Sequence, residues 1–104
     1  MRLPLAWRTF GSTLMIDGMA ADLSAGGLLL TTRAKAPPVG EDVAVRLRTA
    51  GQDLVVTGEV RHARQRTGDS AFGVQFLARS SGEQRRLRGL LRAFAARGVV
   101  ILAP

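Results

Sequence analysis

The sequence contains no cysteine and no tyrosine, and its only histidine is His62. The lack of cysteine excludes disulfides, thiolate metal sites and a cysteine nucleophile, and it fits a reducing compartment. One histidine without thiolates cannot build a common zinc site. No segment is long and apolar enough for a membrane span or a signal peptide. We therefore expect a cytoplasmic protein with no membrane span, no metal and no redox cofactor.

The usual catalytic patterns are also missing. Ser24 lacks the flanking glycines of a nucleophile elbow, and His62 is the sole candidate for an imidazole base. The dipeptide Asp17-Gly18 indicates a turn, and nothing in the pattern brings Asp17 together with Asp22 as a carboxylate pair. The sequence predicts a protein that is not an enzyme and has no catalytic residues.

The charge is strongly positive, with 15 Lys and Arg against 8 Asp and Glu and a net charge of +7. Lys35 is the only lysine; the arginine bias fits either planar contacts to phosphate and guanine or the codon usage of a GC-rich genome. The positive field favours an anionic ligand, an acidic partner or nucleic acid. Nucleic acid is the weakest of these hypotheses, because single-strand binders use stacking aromatics and this chain has four Phe and one Trp.

Alternation of apolar and polar residues predicts six or seven short antiparallel strands. The pattern is clearest over residues 3–7, 43–47, 56–62 and 72–77. Two successive prolines make the 36–40 segment a loop. His62 falls in phase with Val60, which predicts that it lines the interior or stands at a sheet edge.

The period then changes to that of a helix. An apolar stripe with helical spacing is formed by Leu87, Leu90, Leu91 and Phe94. Ser80 as N-cap and Glu83 at N3 complete a capping box, so the helix is predicted over about residues 81–97. Residues 98–102 are expected to add a short strand or to pack across the barrel end. The whole pattern predicts an all-β fold with one C-terminal helix, namely a small antiparallel β-barrel over about residues 3–78 with the helix at its end or flank.

Polar residues interrupt the apolar pattern in the segment DLSAGG, residues 22–27. On an extended chain Asp22 and Ser24 project from one face, as a carboxylate beside a hydroxyl. A carboxylate suits the adjacent N–H donors on the N1 and N2 edge of guanine. Gly26 and Gly27 are expected to turn at positive φ and to let a ligand approach the backbone. The alternative is that Asp22 and Ser24 only bond nearby backbone in an Asx-type turn.

This segment resembles the D/N-x-S-x-x-G element of the PilZ domain family, with Asp22, Ser24 and Gly27 at the three defining positions. The leucine-rich strand after the glycines, the proline loop, Gly58-x-Val60 and the AFGVQF segment are similar to the family as well. The resemblance covers nearly the whole chain. It implies a single domain over residues 1–104, folded as a six-stranded β-barrel, that serves as a receptor or adaptor for the bacterial second messenger cyclic di-GMP.

The family's second element, an R-x-x-x-R motif ahead of the aspartate, is incomplete here. The arginines before Asp22 are Arg2 and Arg8; Arg2 stands near the place of the motif's last arginine, and we expect the chain to begin too late to supply the first. A charge-assisted hydrogen bond contributes about 1.5–3 kcal/mol, so losing one weakens binding by roughly ten- to a hundredfold. The resemblance implies a cyclic di-GMP site at Asp22, Ser24 and Gly27, with Arg2 and Arg8 as the arginines.

Two functions follow from the resemblance. In the favoured one, the chain is an adaptor of cyclic di-GMP signalling that docks a protein partner in the control of motility, surface behaviour or exopolysaccharide, with weak or absent nucleotide binding. In the alternative, it is a direct cyclic di-GMP receptor that uses the DLSAGG surface. The intact first motif favours the receptor, and the incomplete arginine motif favours the adaptor.

Overall fold

The structure is a computed structural model that describes residues 3–49, 52–77 and 80–96. Its elements in chain order are β1 (Leu3–Thr9), β2 (Ile16–Leu23), β3 (Gly27–Thr32), β4 (Asp42–Thr49), β5 (Gln52–Arg66), β6 (Asp69–Phe76) and α1 (Ser81–Ala96). Arg2 lies outside the described residues, and so does the segment 98–102 that was expected to form a last strand.

The strands close into a barrel in the order β1-β2-β3-β6-β5-β4. Each neighbouring pair is antiparallel, and β1 completes the ring by pairing with β4. Closure gives each of the six strands a hydrogen-bonded neighbour on both sides. The predicted six-stranded antiparallel barrel with a C-terminal helix is confirmed for the part of the chain that the structure describes.

One continuous core fills the barrel and extends to the helix. Trp7 and Phe72 are 2% and 0% exposed, and their rings meet edge to face with centroids 5.1 Å apart. The apolar stripe of α1 is buried in the same cluster. The helix begins at the predicted cap, where the Glu83 N–H donates to Ser80 Oγ at 3.1 Å.

Asp17 and Gly18 lie inside β2, so the turn predicted from this dipeptide is wrong. A Cβ on Gly18 would come within 2.9 Å of the Thr31 carbonyl oxygen and 3.3 Å of side-chain atoms of Leu5 and Leu30. Glycine at this position therefore relieves crowding between strands and does not reverse the chain.

Two β-bulges change which side chains face outward. The first lies between Ala20 and Asp22, so the inward phase of β2 shifts by one residue and Asp22 turns to the outside. The second lies between Val60 and His62 in β5. Val60 is fully buried whereas His62 is exposed. The prediction that His62 lines the barrel in phase with Val60 is wrong, because the extra residue resets the alternation.

A buried hydroxyl links three strands. Thr32 is 5% exposed; its Oγ1 accepts a hydrogen bond from Trp7 Nε1 at 3.2 Å and donates to the Asp17 carbonyl oxygen at 2.9 Å. The indole N–H of a buried tryptophan needs such an acceptor, because leaving it unpaired costs desolvation energy. This bond fixes the large side chain of Trp7 at the centre of the core.

We predict that Thr32→Val lowers the free energy of unfolding by about 1–3 kcal/mol, because the Trp7 N–H loses its acceptor. Urea denaturation of the purified protein measures the change. Thr31→Val is the matched control, since Thr31 is half-buried on the outer face, and we expect its effect to stay within about 0.5 kcal/mol. Equal losses in the two variants would contradict the role given to the Thr32 hydroxyl.

Candidate functional site

The DLSAGG segment forms the end of β2, the turn that follows and the start of β3. Leu23 is fully buried, Asp22 is exposed and Ser24 is half-buried. Asp22 and Ser24 therefore project from the outer face of the barrel, on either side of the inward-pointing Leu23. The shared face expected from their spacing is present.

The Ser24 side chain is used by the turn itself. Its Oγ accepts hydrogen bonds from the N–H groups of Gly26 and Gly27 at 3.3 and 3.1 Å, and it donates to the Gly27 carbonyl oxygen at 3.1 Å. The Ser24 N–H donates to the same carbonyl at 2.8 Å. The local backbone bonding that was the alternative for this motif therefore describes Ser24.

Gly27 is required by the approach of β3 to β6. A Cβ at residue 27 would overlap the Val74 carbonyl oxygen and lie 3.3 Å from the Cα of Gln75. Among the described residues, the positive φ values are at Gly40 (94°) and Gly68 (84°). The positive φ expected at the motif glycines is therefore wrong, and it is strand packing that demands a glycine at residue 27.

Asp22 is the motif side chain that the fold leaves free. Within the described ranges its carboxylate has no hydrogen bond or ion pair, and the side chain is exposed. The Asx-type turn that applies to Ser24 does not apply to Asp22. Its carboxylate remains an acceptor open to a ligand with paired N–H donors.

Arg8 is not brought to Asp22. Leu3 pairs with Ala20 near Asp22, whereas Arg8 lies about 17 Å further along β1, five residues at roughly 3.3 Å each. Its guanidinium donates to the carbonyl oxygens of Thr9, the last residue of β1, and Ser12, both at 3.3 Å, and lies 5.7 Å from the centroid of the Phe10 ring. The geometry therefore separates Arg8 from Asp22, Ser24 and Gly27.

The strand register places other residues in line with Asp22 on the outer face. Asp22 pairs with Leu29, Leu29 pairs with Gly73, and Gly73 pairs with His62. We call these four residues the Asp22 row; it crosses β2, β3, β6 and β5. Alternation placed His62 inside the barrel or at an edge, so it was not among the predicted site residues. The bulge that turns it outward has no compositional signal.

A model of the PilZ domain family matches residues 1–93. The chain belongs to the PilZ domain family. PilZ domains are regulatory binding domains and not enzymes, and the family includes cyclic di-GMP receptors and adaptors. No curated protein matches the sequence significantly.

The solved structures also include a PilZ neighbour. The crystal structure of the PilZ domain of CeSA from a cellulose synthesizing bacterium matches with a TM-score of 0.70. The match covers 91% of this chain and 94% of that chain at 16% sequence identity, so it shows a shared fold. In the described residues of this PilZ domain, no helix is long and apolar enough to cross a membrane. The same residues contain no cluster of His, Cys, Asp or Glu that could hold a metal ion.

We predict that the three motif residues differ in their effect on stability. Gly27→Ala should cost roughly 1–3 kcal/mol, because its Cβ meets the Val74 backbone. Ser24→Ala should cost about 1 kcal/mol through lost turn bonds, and Asp22→Ala should change stability by less than about 0.5 kcal/mol. Urea denaturation tests the order.

Gly11→Ala is the control for adding a methyl group, since no atom lies within 4 Å of its Cβ position. If Asp22→Ala destabilised the protein as much as Gly27→Ala, the carboxylate would have a structural task that the contacts do not reveal.

Proposed function

We propose that this PilZ domain is a regulatory adaptor of bacterial cyclic di-GMP signalling, which docks a protein partner and binds the nucleotide weakly. The process we propose is the control of motility, surface behaviour or exopolysaccharide, as the family resemblance implies. One observation carries the proposal: the three motif residues have different structural tasks. Ser24 stabilises the turn and Gly27 allows β3 to approach β6, which leaves Asp22 as the one motif side chain free for a ligand.

Weak nucleotide binding follows from what Asp22 can contribute alone. A carboxylate accepts from the N1 and N2 edge of guanine but repels the phosphates of the same ligand. Phosphates need a cationic donor, and the Arg8 guanidinium is engaged at the other end of β1. Without a charge-assisted bond from Arg8, which would contribute about 1.5–3 kcal/mol, affinity falls by roughly ten- to a hundredfold.

Exposed apolar side chains support a docking role. In the connection from β1 to β2, Phe10, Leu14 and Met15 are 53%, 69% and 36% exposed, and Val55 on β5 is 56% exposed. Phe10 and Val55 line a groove of about 350 Å³ together with Thr57, Glu83 and Arg86. Exposed apolar surface is typical of protein contact sites, and here it lies beside one acidic and one basic side chain. We expect the partner to present apolar groups together with charged groups that complement Arg86 and Glu83.

The second candidate function is that of a direct cyclic di-GMP receptor with micromolar or tighter affinity. The exposed and unpartnered carboxylate of Asp22 favours it, because free acceptors beside a glycine turn suit a ligand edge. The two candidates differ in affinity, so a binding measurement separates them.

We predict that calorimetric titration with cyclic di-GMP gives a Kd of roughly 10–100 μM, reflecting the missing charge-assisted contact. Asp22→Ala should abolish the binding, because it removes the guanine acceptor. Asp17→Ala is the matched control, since Asp17 is another exposed aspartate on the same strand. A Kd of about 1 μM or tighter that depends on Asp22 would replace the adaptor by the receptor.

A further inference from the structure

The imidazole of His62 lies over Gly73, an outward position of β6 that has no side chain. A Cβ at Gly73 would overlap His62 Nε2 and lie 2.8 Å from Cδ2. Gly73 is buried even though it occupies an outward position of β6, whereas His62 itself is exposed. One side of the imidazole therefore covers the β6 backbone, and the rest of the ring faces solvent.

The interval between this imidazole and Asp22 has the width of a planar ring system. Strands lie about 4.8 Å apart, so the Cα atoms of Asp22 and His62 are separated by about 14 Å. Because the imidazole reaches from β5 over β6, about 10 Å remain between the ring and β2. Half-buried Leu29 forms the floor of that interval.

Two of the four outward positions next to the Asp22 row on β3 and β6 carry little or no side chain. These two are Gly27 and Ala71, and the other two are half-buried Thr31 and exposed Gln75. An apolar floor at Leu29 with one free carboxylate at its edge suits a planar ligand that has paired N–H donors on one side. Guanine has this shape and this donor pattern, and nucleobases stack on imidazole rings.

We propose that Leu29 and the open face of His62 support a guanine base whose N1 and N2 donors bind the Asp22 carboxylate. The inference rests on the proposed nucleotide binding and adds a contact outside the D/N-x-S-x-x-G motif. Gly73 has a positioning role, because any side chain there displaces the imidazole from the sheet.

The single histidine of the chain makes the site observable by itself. In a ¹H–¹³C NMR titration with cyclic di-GMP, the ring signals of His62 should shift upfield under a stacked base. Asp22→Ala should abolish the shift. Cyclic di-AMP, whose adenine lacks the N1–H and N2–H donors, should bind roughly tenfold more weakly or worse.

Three variants test stacking on His62 directly through the affinity for cyclic di-GMP. His62→Ala should weaken binding by roughly 5- to 100-fold, the range for losing one base stack, and His62→Phe should retain most of the affinity. Gly73→Ala should weaken binding as His62→Ala does, because its methyl group displaces the imidazole. The double variant should show no further loss, as expected when two changes remove one interaction.

The outcomes separate this inference from the proposed function. If Asp22→Ala abolishes binding while His62→Ala leaves it unchanged, the inference is overturned and the proposed function stands. If Gly73→Ala weakens binding equally with and without His62, the effect belongs to β6, and the role of the imidazole is overturned. If millimolar cyclic di-GMP shifts no His62 signal, the inference is overturned. If calorimetry at the same concentration also shows no binding, weak nucleotide binding fails as well, and the docking role stands.

Discussion

Barrel closure depends on the contact between β3 and β6, two strands that are far apart in the chain. Their backbones approach so closely at Gly27 that a Cβ would overlap the Val74 carbonyl oxygen. Beside this contact the Phe76 N–H donates to the Gly26 carbonyl oxygen at 2.8 Å, extending the ladder into the turn. The glycines that look like a ligand motif in the sequence therefore allow β3 and β6 to pair at this point.

The same contact sets the register of the candidate site. Because Leu29 pairs with Gly73, the β2–β3 hairpin carrying Asp22 is aligned with the β5–β6 hairpin carrying His62. The bulges then turn Asp22 and His62 to the outside of the barrel. Long-range pairing thus aligns Asp22 and His62 in one row across four strands, although they lie on different hairpins. The D/N-x-S-x-x-G motif includes only Asp22.

The sequence predicts the features that depend on local patterns. Alternation identified the strands, helical spacing identified the buried stripe of α1, and the capping box placed its first turn at Ser80. The alternation pattern failed where a bulge shifts the inward phase of a strand, because the inserted residue has no characteristic composition. For this reason the pattern placed His62 inside the barrel. The sequence-based prediction also failed at Gly18 and Gly27, since composition does not distinguish a glycine that turns the chain from one that lets strands approach.

The long strand β5 contributes residues both to the Asp22 row and to the groove beside Phe10. His62 and Val55 are seven residues apart, which is about 23 Å along a strand. His62 belongs to the Asp22 row, and Val55 lines the groove that Phe10 and Arg86 share. Both sites therefore lie on one hydrogen-bonded strand of a closed barrel, far enough apart to be occupied together. A partner seated at Val55 and a nucleotide at His62 need no rearrangement of the barrel to bind at once. Their influence on each other requires either a partner large enough to reach both surfaces or a shift of β5 itself.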